Sequence, residues 1–274
     1  MSDLEAKFRL LRDVVGSYGR VLVAFSGGVD SSFVLRVARD VLGPDVVALT
    51  VRSPAVPDYD YQAALRLTQS LGVEHIIVEA DETTIPEYAA NPVNRCYFCK
   101  RHLFELCATE ARRRDIQVIA DGANVDDLGD YRPGLEAATE RAVRHPLIEA
   151  GLRKADIREL SRRLGLESWD KPASPCLSSR FPYGTRITHE ALARVAKAEG
   201  LLHWLGFREC RVRYHEQLAR IEVAPTDLPR LLDPEVRSRV IAELRSLGFL
   251  YVTVDLQGFR SGSLNESLTT KQGS

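Results

Sequence analysis

Seven consecutive residues have the composition of a phosphate-binding loop, with two glycines, three serines and one carboxylate. They are Ser26, Gly27, Gly28, Val29, Asp30, Ser31 and Ser32. Glycines let the backbone approach an anion, and N–H groups and hydroxyls at a helix start can donate hydrogen bonds to it. Asp30 suits such a site only if Mg²⁺ lies between its carboxylate and the phosphates. The loop therefore predicts binding of a nucleotide with Mg²⁺; a capped structural turn is the alternative.

The five cysteines fall into two groups. Cys107 shares a helical face with apolar residues and Cys210 alternates with apolar residues in a predicted strand, so both are predicted to be core residues. Cys96 and Cys99 have metal-ligand spacing just before a predicted helix, and two incidental buried thiols are the alternative. Cys176 lies in a loop rich in proline and serine, where no packing periodicity explains it.

Charged residues also occur on elements of the second half of the chain. Arg211 and Arg213 point away from the apolar side of a predicted strand. Guanidinium groups there would suit a substrate with phosphate and carboxylate groups, and a solvated network of ion pairs is the alternative. Glu199 falls in the apolar stripe of a predicted helix, where a carboxylate needs a partner. It is a candidate catalytic residue, with a salt bridge between domains as the alternative.

The composition is that of a globular protein without a basic field. The chain has 274 residues, 45% of them hydrophobic, and a net charge of −1, which argues against nucleic acid as a partner. No apolar run approaches the roughly 20 residues that cross a bilayer, so no membrane association is expected. An odd number of cysteines and the lack of a signal-peptide pattern favour a cytoplasmic protein.

Strands and helices alternate along the first part of the chain. Strands are predicted at residues 21–25, 46–51, 75–78 and 116–120, and helices at 31–42, 61–71, 98–113 and 155–164. Strands without polar alternation, separated by helices, indicate an α/β fold with a doubly wound parallel sheet. Later elements predict a second, smaller α+β domain. The expected division is residues 1–185, 186–263 and a disordered tail at 264–274.

The Ser-Gly-Gly-Val-Asp-Ser segment after the first strand resembles the signature loop of the N-type ATP pyrophosphatases. The loop has neither a Walker lysine nor a Gly-x-Gly-x-x-Gly pattern, which disfavours γ-phosphate hydrolases and dinucleotide dehydrogenases. The resemblance implies an adenine nucleotide alpha hydrolase-like fold. It also implies that ATP is cut between its α and β phosphates while AMP is attached to the substrate.

Further segments, over nearly the whole chain, resemble the LarE-type sulfur transferases, which help to build the nickel-pincer nucleotide cofactor of lactate racemase. These segments are residues 121–127, 130–134, 171–172, 176–185 and 258–262. The first follows a predicted strand on the ligand-bearing edge of the sheet, so Gly122 and Asp126 are expected to contact the nucleotide.

The second resemblance implies a substrate and a source of sulfur. The substrate would be pyridinium-3,5-biscarboxylic acid mononucleotide, whose carboxylate is adenylylated and then converted to a thiocarboxylate. Some members sacrifice the cysteine that matches Cys176, leaving dehydroalanine, and others are thought to use an iron–sulfur cluster. We expect Cys96, Cys99 and Cys176 to converge on one [4Fe–4S] cluster with an open iron. Family members form homo-oligomers, and this chain is expected to form one too.

Several alternatives stay open. Zinc could replace the cluster, with His102 as a fourth ligand. The chain could thiolate tRNA, although that function predicts a basic surface, which a net charge of −1 does not support. Amide synthesis would leave the thiols without a role, and no glutaminase segment is present. A non-catalytic nucleotide sensor would need neither Asp30 nor three thiols.

Overall fold

The computed structural model describes residues 2–129, 133–172, 174–260 and 263–265. The helices are α1 Asp3–Gly16, α2 Val29–Leu42, α3 Asp58–Leu71, α4 Pro86–Ala89, α5 Arg95–Arg113, α6 Pro133–Thr139, α7 Pro146–Glu149, α8 Lys154–Arg163, α9 His189–Trp204, α10 Leu228–Leu231 and α11 Pro234–Ser246. The strands are β1 Val21–Ala24, β2 Val46–Arg52, β3 Glu74–Glu79, β4 Val118–Ala120, β5 Cys210–His215, β6 Leu218–Val223 and β7 Tyr251–Val254.

The chain forms two compact units. One contains the described residues of Met1–Glu82 and Asn94–Ser174, and the other contains those of Thr83–Val93 and Pro175–Ser274. The division therefore follows Ser174, whereas the sequence analysis places it at residue 185. An early segment that the sequence analysis assigns to the first domain also belongs to the second unit. Most of the predicted tail, residues 266–274, lies outside the described part of the chain.

The first unit is built on a parallel sheet with strand order β3-β2-β1-β4. Val21 of β1 pairs with Val46 of β2 on one side and with Val118 of β4 on the other. Successive side chains of a strand point to opposite faces, so Val21 and Val23 enter one core while Leu22 and Ala24 enter another. Both faces are thus covered, which confirms the predicted doubly wound α/β class.

The strand order reverses at β1, because β2 and β3 extend the sheet on one side and β4 on the other. In such sheets ligands bind outside the carboxyl ends of the strands at this switch point. The loop between β1 and α2 lies at this point and so does the segment that follows β4. The fold therefore brings the two predicted nucleotide-binding segments to one edge of the sheet.

The second unit contains a sheet with order β5-β6-β7. β5 and β6 are antiparallel, and Cys210 pairs with Val223, while β7 is parallel to β6. Apolar residues of the sheet pack against α9 and α11 in a separate core. The predicted smaller α+β domain is confirmed in its class.

None of the helices formed by the described residues is long and apolar enough to span a bilayer.

Candidate functional site

The loop between β1 and α2 is packed tightly against its neighbours. Gly27 has φ +71°, and a Cβ there would lie 2.9 Å from the carbonyl oxygen of Asp60, so only glycine fits. A Cβ on Gly122 would lie 2.7 Å from the amide nitrogen of Ser31. The hydroxyls of Ser26 and Ser31 are 3.1 Å apart. The structure thus brings the predicted residues Ser26, Gly27, Ser31 and Gly122 together.

Helix α2 starts directly behind this loop. Gly28 is its N-cap and makes no side-chain capping bond, so the first amides are not capped by the residue that precedes them. Ser32 is buried, and its hydroxyl has no hydrogen-bond partner among the described residues. The backbone N–H groups of a glycine-rich loop and of the first helical turn are the donors that bind a phosphate at such a position.

Asp30 lies in the first turn of α2 and pairs with a lysine that the sequence analysis does not identify. The Nζ of Lys154, at the start of α8, is 2.5 Å from Oδ2 of Asp30. The other oxygen, Oδ1, is buried and accepts no hydrogen bond from the described residues. Burial raises the pKa of Asp30, and the ammonium of Lys154 opposes this rise. A carboxylate oxygen that is buried and unsatisfied suits a cation such as Mg²⁺.

Asp126, which is predicted to contact the nucleotide, is held by the start of α8. Its Oδ2 accepts a hydrogen bond of 2.8 Å from the backbone N–H of Lys154, and its Oδ1 lies 2.9 Å from Nη1 of Arg153. The amide of Lys154 is the main reason that the pKa of Asp126 is lowered. Both carboxylate oxygens are therefore engaged with the start of α8, so the structure makes Asp126 an anchor for Lys154.

A second lysine contacts the phosphate loop. Nζ of Lys171 donates a 3.0 Å hydrogen bond to the carbonyl oxygen of Gly27 and lies 2.6 Å from Oδ1 of Asp60. The hydroxyl of Ser174 donates to the other oxygen of Asp60 at 2.5 Å. Asp60 is almost fully buried, and these contacts fix its carboxylate behind the loop.

The cysteines divide as predicted into core and accessible thiols. Cys107 and Cys210 are fully buried, and burial raises the pKa of each thiol to about 12, so both stay protonated. All five cysteines lie in the described residues and none forms a disulfide. Cys96 is exposed and Cys99 is half-buried. They lie inside the first turns of α5, which begins at Arg95 rather than at residue 98 as predicted.

The main chain around Cys176 is held by a buried arginine. Nη1 of Arg180 donates hydrogen bonds to the carbonyl oxygens of Pro175 at 2.6 Å and Cys176 at 2.9 Å. The Arg180 side chain has no exposed surface, whereas Cys176 is half-exposed. The backbone of this cysteine is therefore immobilised while its thiol keeps access to solvent.

Glu199 is the counter-ion of this arginine. Its two oxygens each lie 2.8 Å from a nitrogen of Arg180, and Oε1 also accepts the backbone N–H of Val212 at 2.9 Å. A buried carboxylate needs such partners, as its place in an apolar stripe predicts. Both of these partners belong to the same unit as Glu199. The structure therefore shows the satisfied salt bridge of the alternative, although with its two partners in one compact unit.

Arg211 and Arg213 are buried, not solvated. Arg213 forms a bidentate pair with Glu222, at 2.9 and 2.7 Å, and donates a 3.0 Å hydrogen bond to the carbonyl oxygen of Ser179. The guanidinium of Arg211 stacks 5.0 Å from the ring centre of Phe259. The ion pairs of the alternative are therefore present at Arg213, but both arginines are buried and not solvated.

A segment that sequence patterns did not connect with Cys176 also supports its loop. The Asn91 side chain donates to the carbonyl oxygens of Pro182 at 2.8 Å and Thr185 at 3.1 Å, and the Asn91 carbonyl oxygen accepts from Gly184. Asn91 is buried with φ +54°, a conformation that asparagine tolerates. The hydroxyl of Tyr88 hydrogen-bonds to that of Ser178.

Sequence reasoning missed three residues that complete these two regions, which are Asp60, Asn91 and Lys154. It placed Lys171 and Arg180 in family-like segments but assigned them no role. The sequence did contain one signal for the missed cations. Asp30 in the phosphate loop and Glu199 in an apolar stripe are carboxylates that each need a positively charged partner. That demand does not say which of the many lysines and arginines provides the cation. Among the described residues, no group of three or more His, Cys, Asp or Glu side chains is arranged to hold a metal ion.

A parallel sheet with a Ser-Gly-Gly-Val-Asp-Ser loop at its switch point is typical of the ATP pyrophosphatases, which is the class of this protein. The family model "NAD synthase" matches residues 4–111. A protein of Lactiplantibacillus plantarum, "Pyridinium-3,5-bisthiocarboxylic acid mononucleotide synthase", is 40% identical over 99% of this chain and 98% of its own length. The chain therefore belongs to the family of that synthase, the LarE-type sulfur transferases.

Two other relatives show how far the similarity extends. The protein slr1717 of Synechocystis is 46% identical over 97% of this chain and 99% of its own length. The tRNA-specific 2-thiouridylase MnmA of Xanthobacter autotrophicus is 30% identical over 57% of this chain and 49% of its own length.

Proposed function

We propose that this protein is an ATP-dependent sulfur transferase acting on pyridinium-3,5-biscarboxylic acid mononucleotide. A substrate carboxylate oxygen attacks the α-phosphorus of ATP, the bond to the β-phosphate breaks, and pyrophosphate leaves. Hydrosulfide then attacks the carbonyl carbon of the acyl-adenylate and expels AMP, which leaves a thiocarboxylate. This proposal is based on the presence of two features in one chain. One is the phosphate loop that resembles those of ATP pyrophosphatases, and the other is Cys176, which is accessible and whose carbonyl oxygen is held by Arg180.

Residues of the first unit are proposed to bind ATP. The loop amides and the hydroxyls of Ser26, Ser31 and Ser32 would donate to phosphate oxygens, and Gly122, which packs against the backbone of Ser31, would contact the nucleotide. The buried Oδ1 of Asp30 fits a Mg²⁺ ion, which when bound would neutralise charge on the pyrophosphate. Asp30 would hold that ion.

Residues of the second unit are proposed to bind the pyridinium nucleotide and position the sulfur. Arg213 contacts the carbonyl oxygen of Ser179, three residues after Cys176, so its guanidinium lies on the turn that carries the thiol. Arg211 lies two residues earlier on the same strand, and both would contact the anionic groups of the substrate. Glu199 would act on Cys176 through Arg180, as a positioning residue.

Cys96, Cys99 and Cys176 are proposed to bind a [4Fe–4S] cluster. Iron–sulfur clusters are bound by cysteine thiolates, and these three thiols are not buried in the core. Cys96 and Cys99 lie one helical turn apart on α5. When bound, the cluster would supply an iron with an open position for hydrosulfide. Cys176 would then remain intact, whereas a sacrificial Cys176 would end as dehydroalanine. A cytoplasmic homo-oligomer is part of the same proposal.

Thiolation of tRNA is the second candidate function. The similarity to the thiouridylase covers only about half of each chain, whereas the similarity to the mononucleotide synthase covers nearly all of both. The residues around Cys176 that support sulfur transfer do not distinguish the two substrates. The longer similarity favours the nucleotide.

The test is pyrophosphate release from ATP, measured separately with the pyridinium mononucleotide, with unmodified tRNA and with no acceptor. We expect release only with the mononucleotide, together with a thiocarboxylate product in the mass spectrum when sulfide is present. Release with tRNA alone would favour the second candidate. ATP binding without release under any condition would indicate a nucleotide sensor.

A further inference from the structure

His145 lies at the carboxyl edge of the first sheet, next to the segment that follows β4. The backbone N–H of Arg144 donates to the carbonyl oxygen of Ile119 at 2.8 Å, and the Arg144 carbonyl oxygen accepts from Asp121 at 3.1 Å. Arg144 also forms a parallel bridge with Ala120, so it extends the sheet beyond β4. His145, the next residue, is therefore at the same edge of the sheet as the phosphate loop.

The segment between the phosphate loop and His145 is short. Gly122 packs against the loop, because a Cβ there would lie 2.7 Å from the amide nitrogen of Ser31. Asp121, the residue before Gly122, has a carboxylate oxygen 2.7 Å from Nδ1 of His145. The phosphate loop, Gly122 and His145 therefore follow one another along this edge.

Asp121 determines which nitrogen of His145 is free. A carboxylate only accepts hydrogen bonds, so Nδ1 must carry the hydrogen that points to Asp121. Nε2 forms no hydrogen bond with any described residue and is not sealed from solvent. In neutral His145 this nitrogen is an acceptor, whereas in the imidazolium it is a donor.

The charged groups around His145 favour the imidazolium. The carboxylate of Asp121 is the main reason that the pKa of His145 is raised, and Glu149 on α7 acts in the same direction. Burial of the ring and the ammonium of Lys100 on α5 oppose this rise. His145 therefore keeps its proton to a higher pH than an ordinary histidine, and with it a positively charged donor at Nε2.

A phosphate is the ligand that this position suits. The phosphate loop is proposed to hold the β- and γ-phosphates, which leave together as pyrophosphate, so the α-phosphate extends beyond the loop. On the side of Gly122 it would approach Asp121, whose negative charge would repel it unless a cation lies between them. His145 is in contact with that carboxylate and has an N–H on Nε2 to donate.

We propose that the imidazolium of His145 donates a hydrogen bond from Nε2 to the α-phosphate of the bound nucleotide. The proposal rests on the proposed ATP-dependent reaction. Negative charge on the oxygens of this phosphate would be stabilised when the substrate carboxylate attacks the α-phosphorus, and again when AMP is expelled. His145 gives up no proton in either step.

A purely structural role of His145 predicts a different pattern of binding. Asp121 also accepts the backbone N–H of Ala123 at 3.0 Å, so loss of its histidine partner would loosen the segment around Gly122. That change would weaken every adenine ligand alike, with or without a phosphate. A phosphate ligand affects only those that carry the α-phosphate, so comparing a nucleotide with its nucleoside separates the two roles.

The experiment measures the dissociation constants of AMP methyl ester and of adenosine by equilibrium dialysis between about pH 6 and 9. The ester keeps one negative charge throughout and, like an acyl-adenylate, carries a substituent on its phosphate. In the wild type its affinity should fall about ten- to a hundredfold as the pH rises, because a charge-assisted hydrogen bond is lost, while adenosine binding stays constant.

Two variants of His145 should remove this pH dependence in opposite ways. His145→Gln should bind the ester weakly at every pH because its side chain is uncharged, and His145→Arg should bind it tightly at every pH because a guanidinium stays protonated. His215→Gln, at an exposed histidine of β5, is the matched control and should keep the wild-type profile. Circular dichroism verifies that each variant is folded.

A ratio of ester affinity to adenosine affinity that stays constant with pH in the wild type would overturn the inference, and this result does not depend on any variant. Equal losses of ester and adenosine binding in folded His145→Gln would overturn it too, in favour of the structural role. The proposed function fails separately, if the wild type binds the ester but releases no pyrophosphate from ATP with the pyridinium nucleotide.

Discussion

Arg180 and Glu199 form a buried bidentate ion pair whose guanidinium also holds the carbonyl oxygen of Cys176. Both N–O distances of the pair are 2.8 Å, and the bond to Cys176 is 2.9 Å. A guanidinium has five N–H donors in a fixed plane, so one side chain can satisfy a carboxylate and two carbonyls at once. The position of the accessible thiol thus depends on a carboxylate on a separate helix.

Glu199→Ala should lower the stability of the protein and loosen the Cys176 loop. Removing one partner of a buried pair leaves an uncompensated charge, which costs about 3–5 kcal/mol in the free energy of unfolding. Urea unfolding measures this loss, and the rate of alkylation of Cys176 by iodoacetamide should rise. The exposed Glu209→Ala variant is the control. Unchanged stability and alkylation would contradict the positioning role of Glu199.

Asp30→Ala should abolish ATP-dependent pyrophosphate release, with a loss of at least about a hundredfold, and leave the fold intact. The reason is the loss of the only carboxylate in the loop, and with it the proposed Mg²⁺ ligand. The assay is repeated over a Mg²⁺ titration and after chelation by EDTA. Asp40→Ala is the control, because Asp40 pairs with Arg36 on the outer part of the same helix. Normal release by folded Asp30→Ala would exclude this role.

Arg211→Ala should weaken the binding of the pyridinium nucleotide about ten- to a hundredfold and leave ATP binding unchanged. The reason is the loss of a charge-assisted contact, which is worth roughly 1.5–3 kcal/mol. Calorimetric titration with each ligand tests this difference. The exposed Arg208→Ala variant serves as the control. The Arg211/Arg213 double alanine variant should show the same selectivity with lower stability, because Glu222 loses its bidentate partner. An equal loss of ATP affinity would refute the assignment.

Protein purified without oxygen should be coloured and contain iron and sulfide, and Cys96→Ala, Cys99→Ala or Cys176→Ala should each lower the iron content. The physical reason is the loss of one of three thiolate ligands. Cys107→Ala is the control, because that thiol is buried in the core. Zinc in place of iron would favour the His102 alternative. A single turnover with sulfide present, with dehydroalanine at position 176, would identify a sacrificial cysteine instead.

The pair of His145 and Asp121 should make stability depend on pH. The Asp121 carboxylate, 2.7 Å from Nδ1 of His145, raises the pKa of that imidazole above its usual range. Protonated His145 therefore stabilises the fold at pH values below the pKa of unfolded histidine, and this contribution is lost as the pH rises through the higher folded pKa. His75, whose pKa is lowered by burial, contributes with the opposite sign.

The difference between the wild type and His145→Gln isolates this contribution. Urea unfolding at several pH values should show the wild type losing its advantage over His145→Gln as the pH rises from about 6 to 8. Since Asp121 also accepts the amide of Ala123 at 3.0 Å, the loss should extend to nucleotide binding beside Gly122. A pH-independent difference would show that His145 has the same pKa in the folded and the unfolded protein, which would contradict this prediction.

Local sequence determined much of the fold and of the phosphate loop. Strand β1, the Ser-Gly-Gly loop and α2 follow one another directly, and the alternation of apolar strands with helices leaves few arrangements other than a doubly wound sheet. Cys107 and Cys210 are predicted to lie in the core because they fall on the apolar face of a helix and of a strand. Apolar residues repeat every three to four residues along a buried helix face and every two along a buried strand face. Such features depend on neighbours in the chain, so a pattern is sufficient to find them.

The partners of the charged residues were decided only by the tertiary structure. Asp30 meets Lys154 across 124 positions of the chain, and Asn91 reaches Thr185 across 94. Sequence alone shows that a buried carboxylate such as Glu199 needs a cation, but many lysines and arginines satisfy that need equally well. Packing of separate elements selects one of them, because ion pairs and hydrogen bonds require contact distances that no local periodicity encodes.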